Sequence, residues 1–444
     1  MMSSSDSCKA SNFSVQLLVL LMLTAIFSFP FASVGVSIGN YFLSLPNLAV
    51  MVLSFVLFFV GAFEKKRFYV FASTIFIFFI ITFPRHNLSS FVPSLAVFSM
   101  MILPLAIGFG RFDVFRLKVL AYRSFLYGFY VIAVFVLIEF VVSNISEGMW
   151  GNIQGVLPVT NLVSTYAGVN RAQAFFSEPS YLAIYACFSF YVFDVLEMAS
   201  GVSRAFEKVV SALIVLSAVS TTGFLMLLLY NVPKFFKGIK ISFRGVLRTK
   251  KFSARILFKR IFALVAGVLV VWLSSDIVMK NVERIMMIQD VIAERSYLGS
   301  VGFRINSILM LYDYYQSTGV QGLLIGEGYS NYEHWISNNF SHLVGTSIAE
   351  GQVSNMLTGI VMSTGLVGSF VIFLFVYLVV ADLWREAVWP TIIFFGLFFL
   401  SYGNVTSSFF WLSLFITRIL LSGNAPVSRA CANKSLQIHS LKLT

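Results

Sequence analysis

Ten apolar runs, most of them long enough to cross a bilayer, divide this chain and constrain its fold before any motif does. An apolar run of roughly 17 to 25 residues reads as a membrane span. The runs are Phe13–Val34, Ser44–Phe63, Phe68–Phe83, Phe91–Gly110, Ser124–Val142, Pro179–Met198, Ile261–Ser275, Val353–Val380, Ala387–Tyr402 and Ser407–Leu421. Charged residues make up 11% of the chain and mean hydropathy is +0.87, whereas a soluble domain carries roughly a quarter charged residues. The pattern predicts an all-α polytopic membrane protein forming a single domain over residues 1–444. The first run is too long for a cleaved signal peptide and reads as a retained helix. Cys8, Cys187 and Cys431 are too scattered for a disulfide framework or a metal knuckle.

One further apolar stretch, Val209–Val232, is interrupted by "STTG" at Ser220–Gly223. These are turn and breaker residues, so the stretch reads as two short helices folding back on each other. It is followed by ten Lys and Arg residues between Lys234 and Arg260 and no acid. "EKKR" at Glu64–Arg67, Arg111–Arg123 and the tail residues Arg429, Lys434 and Lys442 are basic too. Basic loops stay cytoplasmic, so the net charge of +12 reports topology and not nucleic-acid binding. The expected result is about twelve crossings, counting the broken hairpin as two, with both termini inside. The segment 233–260 is then a basic cytoplasmic loop. Segments 143–178 and 276–352 are external, and the second is the large acid-rich loop.

The candidate chemistry lies in those outer segments. "NRAQAFFSEPSYLAIY" runs from Asn170 to Tyr185 and places Arg171 and Glu178 at the mouth of a span. One reading is structural: an interfacial arginine, and an acid where a helix begins at Pro179. The other is functional: an arginine fork matched to phosphate oxygens, and a carboxylate tuned as a general base. In the second loop, Ile305, Ile308, Leu309 and Tyr312 have helical spacing and suit a helix lying on the membrane surface. Arg304 opens that helix, and "GEGYSN" at Gly326–Asn331 follows as a turn. His334, His342 and Glu350 lie nearby. No Asp-x-Asp, His-Glu-x-x-His or Cys pair points to a divalent metal or a nucleotide-sugar site. Glu139, Asp194 and Arg418 fall near span ends, where they are expected to reach the interface. A coupled transporter usually carries ionisable groups nearer the midplane.

Taken in order, "R…FFSEPSYLAIY", "STTGF", a basic loop, "FRINS…LLIGEGYSN" and "SNMLTGIVMSTGLVGSFVIF" resemble the O-antigen polymerases of the Wzy type. That superfamily also holds the O-antigen ligases. The resemblance covers about Tyr166–Leu374 in motifs and the whole chain in topology. It implies a GT-C-type, lipid-linked-sugar glycosyltransferase in the bacterial inner membrane, acting at the periplasmic face on undecaprenyl-diphosphate oligosaccharides. It implies no cofactor, no metal and no nucleic acid. Membrane lipids and a possible chain-length regulator are the other expected partners. Carried over by motif, Arg171, Glu178 and Arg304 are the expected catalytic residues, with the arginines clamping the diphosphate. Gly326, Glu327, Gly328, His342 and Glu350 are the expected substrate-binding set, in which Glu327, Glu350 and His342 are further candidates for the base. Ligases carry a His-Asn pair where this chain reads Ser354-Asn355, which favours polymerase. A ligase, a flippase or exporter, and a membrane scaffold remain the competing readings.

Overall fold

The computed structural model describes residues 4–38, 41–82, 88–145, 164–166, 169–176, 178–246, 299–328, 331–339, 355–381, 383, 385–401 and 408–421. Of these, 86% are helical. The helices are α1 (Ser4–Ser28), α2 (Leu45–Val60), α3 (Lys65–Thr82), α4 (Leu88–Ile102), α5 (Val114–Ile145), α6 (Pro179–Ser200), α7 (Ala205–Ser217) and α8 (Thr221–Val246), then α9 (Gly299–Ile325), α10 (Asn331–Asn339), α11 (Met356–Ala381), α12 (Arg385–Ser401) and α13 (Ser408–Leu421). Two antiparallel hairpins qualify the all-α expectation: β1 (Gly35–Ile38) with β2 (Tyr41–Ser44), and β3 (Ser164–Tyr166) with β4 (Val169–Arg171). Among the described residues α5, α6 and α11 are long and apolar enough to cross a membrane, and several shorter helices are equally apolar. Phe58, Phe59, Phe76 and Phe370 stand outward, each more than 60% exposed. Apolar surface of that extent suits lipid.

Local signals explain many of the ends. Ser44 caps α2 by accepting the Asn47 N–H, and Gly61 closes it in the left-handed conformation. Pro179 opens α6, and Gly201 closes it in the same left-handed way. The apolar stretch Val209–Val232 does divide into two helices that pack against α6. The break falls at Ala218–Ser220, so Thr221–Gly223 already form the first turn of α8.

Other boundaries differ from the expected ones. The first apolar run stops being helical at Ser28, where Phe31 N–H turns back to Ser28 O and Ser33 N–H reaches Phe175 O. The helix α5 continues to Ile145, past the expected loop start at 143. The helix α8 carries Pro233 inside it and runs to Val246, so the first part of the expected basic loop is helix. The helix α9 buries Ser307, Met310 and Tyr314, whereas Ile308 and Tyr312 of the expected stripe stand exposed.

Arg418 does not reach the interface. It is fully buried at the end of α13. Its Nη1 donates to Leu105 O and its Nη2 to Ile107 O at 2.5 Å, while the guanidinium lies 4.7 Å from the Phe109 ring. The 103–111 segment is two short 3-10 turns. Their carbonyls have no helical ladder to join, so the arginine fork supplies the donors an apolar interior lacks. Glu64 lies 4.0 Å away and also pairs with Arg67 at 2.8 Å.

The same end of the bundle holds a second polar tie, between α6 and α7. Lys208 meets Glu197 at 3.0 Å and Asp194 at 3.6 Å, and the Tyr230 hydroxyl donates to Asp194 at 3.1 Å. The opposite end carries Arg171.

The helices α9 and α11 are both broken by glycines in the left-handed region, at Gly319 (φ 68°) and Gly365 (φ 66°). A Cβ on Gly365 would overlap Leu324 O and Ile325 N, and one on Gly326 would overlap Gly365 N. The two backbones therefore meet with no room for a side chain. Gly365→Ala combines strain at positive φ with a clash against backbone, at a cost of about 2 kcal/mol or more. The expected result is a lower melting temperature in detergent. An unchanged melting curve would contradict this packing.

Candidate functional site

The site forms around the strap 171–176, which leaves β4 and is fixed at nearly every residue. In the β3–β4 hairpin Ser164 pairs with Arg171. The Arg171 Nε donates to Ala218 O at 3.1 Å, and the Ala172 N–H donates to Ser217 O at 3.1 Å. Gln173 N–H and Ala174 N–H both donate to Glu139 Oε2, at 3.0 and 2.6 Å. Phe175 O accepts from Ser33 N–H at 2.7 Å, and its ring sits between Phe31 and Phe135. Phe176 packs against Tyr185 and Phe409.

Glu139 is the residue whose role the sequence concealed. It was expected near the interface, yet it is 4% exposed and faces inward. A carboxyl group in an apolar run is costly unless hydrogen-bonded. Here two backbone N–H groups of the strap supply those bonds, and the strap's own buried donors gain an acceptor. The sequence signal was the acid itself, set within the apolar stretch that ends α5.

The Ala218–Ser220 break lies beside the first turns of α6: Gly223 sits against Ala183, and Cys187 Sγ donates to Gly223 O at 3.2 Å. Arg171, half-buried, is thus held against this break.

Backbone strain gathers at this anchor. Ala174 (φ 49°) and Val219 (φ 44°) are left-handed without being glycine, which for a β-branched residue is an outlier. Such positions cost about 1–3 kcal/mol each and persist where the surroundings over-determine them. Ala174 is held by Glu139, and Val219 directly follows the carbonyl that holds Arg171.

Glu178 is exposed at the N-cap of α6 and makes no side-chain capping bond. It lies at the same end of the bundle as Arg171, seven residues along the strap. Gly326, Glu327 and Gly328 gather elsewhere, at the α9–α11 crossing. The Glu327 and Gly328 N–H groups donate to Met362 O and Ser363 O at 2.9 Å each, and Gly326 N–H donates to Gly322 O. Gly326 is thereby explained by close backbone approach, and Gly328 by its left-handed φ of 95°. The half-buried Glu327 carboxyl accepts from the buried Tyr314 hydroxyl at 3.4 Å. Arg304 lies on α9, its side chain outside the described residues, as is that of His334. His342 and Glu350 lie outside the described residues altogether. Asn355 caps α11 by accepting the Thr358 N–H at 2.8 Å.

A guanidinium carries five donors in a plane. Anchoring Nε to a carbonyl fixes that plane, and partial burial strengthens its attraction for an anion. An arginine held this way can orient an oxyanion. No family model matches this chain, and no curated protein matches it.

Proposed function

We propose that the protein is an O-antigen polymerase. In this reading it is a metal-independent glycosyltransferase that joins undecaprenyl-diphosphate-linked repeat units at the periplasmic face of the bacterial inner membrane. The full bundle would make about twelve crossings in a GT-C-like arrangement, with the Arg171 end outward as the basic loops require. The observation that carries the proposal is the half-buried, Nε-anchored Arg171 on a strap beside the broken α7–α8 pair.

The donor's leaving group is a lipid diphosphate. As the glycosidic bond breaks, negative charge grows on that group. A preorganised guanidinium stabilises the charge most in the transition state. In this reading the diphosphate would meet Arg171 while its isoprenoid tail stays in the bilayer. Arg304 would add a second positive charge. The acceptor is a sugar hydroxyl, whose proton Glu178 would take during attack.

A deletion strain tests the reading. Loss of a polymerase leaves core lipopolysaccharide bearing one repeat unit, whereas bare core would move the assignment to ligation or export. Glu178→Gln separates the base from the other acids. The expected result is a loss of about 10²-fold or more in polymerisation rate with normal protein levels. A rate equal to wild type would transfer the role to Glu327, at the α9–α11 crossing.

A further inference from the structure

A crevice at the basic end of the bundle lies apart from the Arg171 site. It opens between α1 and the start of α5 and has a volume of about 350 Å³. Beyond the mouth its walls are Val19, Leu23, Leu117 and Leu120, with Leu20, 60% exposed, along the open side. Polar groups occur only toward one end, where Gln16, Asp113 and Arg116 form the mouth. The two helices run parallel here, since Gly128 of α5 approaches Phe27 and Pro30 farther along. The slot therefore follows the helix axes, from a polar rim into an apolar interior.

Charge and size decide the occupant. The first three turns of α5 carry Arg116, Lys118 and Arg123, against the single acid Asp113 just before them. The Asp113 carboxyl accepts the Arg116 N–H at 3.1 Å, which engages it in capping α5. Arg116 itself is exposed at the mouth. An acyl chain is a single methylene thick and fits a slot between two helices. An anionic phosphate at its head would meet Arg116.

We infer that the α1–α5 crevice is a binding site for an anionic diacyl phospholipid, with one acyl chain in the slot and the phosphate on Arg116. The inference does not depend on the reaction assigned to the opposite end.

The test is native mass spectrometry of the purified full chain, released from neutral detergent with phosphatidylglycerol or with phosphatidylcholine of the same chains. One phosphatidylglycerol is expected to remain bound in preference to phosphatidylcholine. Removing one basic contact by Arg116→Ala should weaken it about fivefold, and Arg116→Lys should largely restore it. Leu120→Trp fills the slot and should remove the bound lipid of either headgroup. Val19→Phe does the same from α1, should the tryptophan variant fail to fold. Equal retention of the two lipids, or undiminished phosphatidylglycerol binding in a folded slot-filling variant, would overturn the site.

Discussion

Arg171→Ala is expected to abolish long polysaccharide in a complemented deletion strain while the protein still accumulates in the membrane. The two effects separate because they draw on different energies. Loss of the hydrogen bond to Ala218 O costs about 1 kcal/mol in stability. In the proposed reaction truncation also removes a preorganised positive group from where charge would develop, and losing one such donor costs about 10²- to 10³-fold in rate. Arg171→Lys should be impaired as well, since an ammonium cannot reproduce the Nε anchor and the planar fork together. The check is a lipopolysaccharide gel beside an immunoblot of the membrane fraction. A normal ladder from Arg171→Ala would remove this residue from the chemistry.

The second large effect is structural. Glu139→Ala leaves the Gln173 and Ala174 N–H groups without the acceptor they share. Each orphaned buried donor costs about 1–3 kcal/mol, so a loss of several kcal/mol is expected. Because the strap continues directly into Arg171, polymerisation should fall with it. Glu139→Gln keeps a side-chain carbonyl at the same reach and should be milder on both measures. Thermal unfolding in detergent reads the first effect and polymer length the second. Alanine and wild type melting together would show that the strap is held by its aromatic packing alone.

What the sequence made legible follows from range. The apolar runs, the Glu178–Pro179 start of α6 and the broken α7–α8 pair are local patterns, and they survive as helices in the structure, save that the run Ile261–Ser275 lies outside the described residues. Glu139 and Arg418 were visible as charges, but their partners were not. Glu139 bonds to backbone 34 and 35 residues away, and Arg418 to backbone 311 and 313 residues away. Periodicity carries no information about a carbonyl that distant. The same holds for Gly365. Within its own stretch it looks like an ordinary glycine of a membrane helix, and only the approach of Leu324 and Gly326 explains it. The strap illustrates the division most clearly. Its sequence suggested a charged doorstep, yet its position is set by the acid on α5 and the carbonyls at the end of α7.

The most direct measurement is reconstitution. The purified full chain, placed in liposomes with undecaprenyl-diphosphate-linked repeat units and no nucleotide, should produce a ladder of lipid-linked oligomers, and Arg171→Ala liposomes should not. Repeat units left as monomers by active, folded wild-type protein would contradict the polymerase assignment.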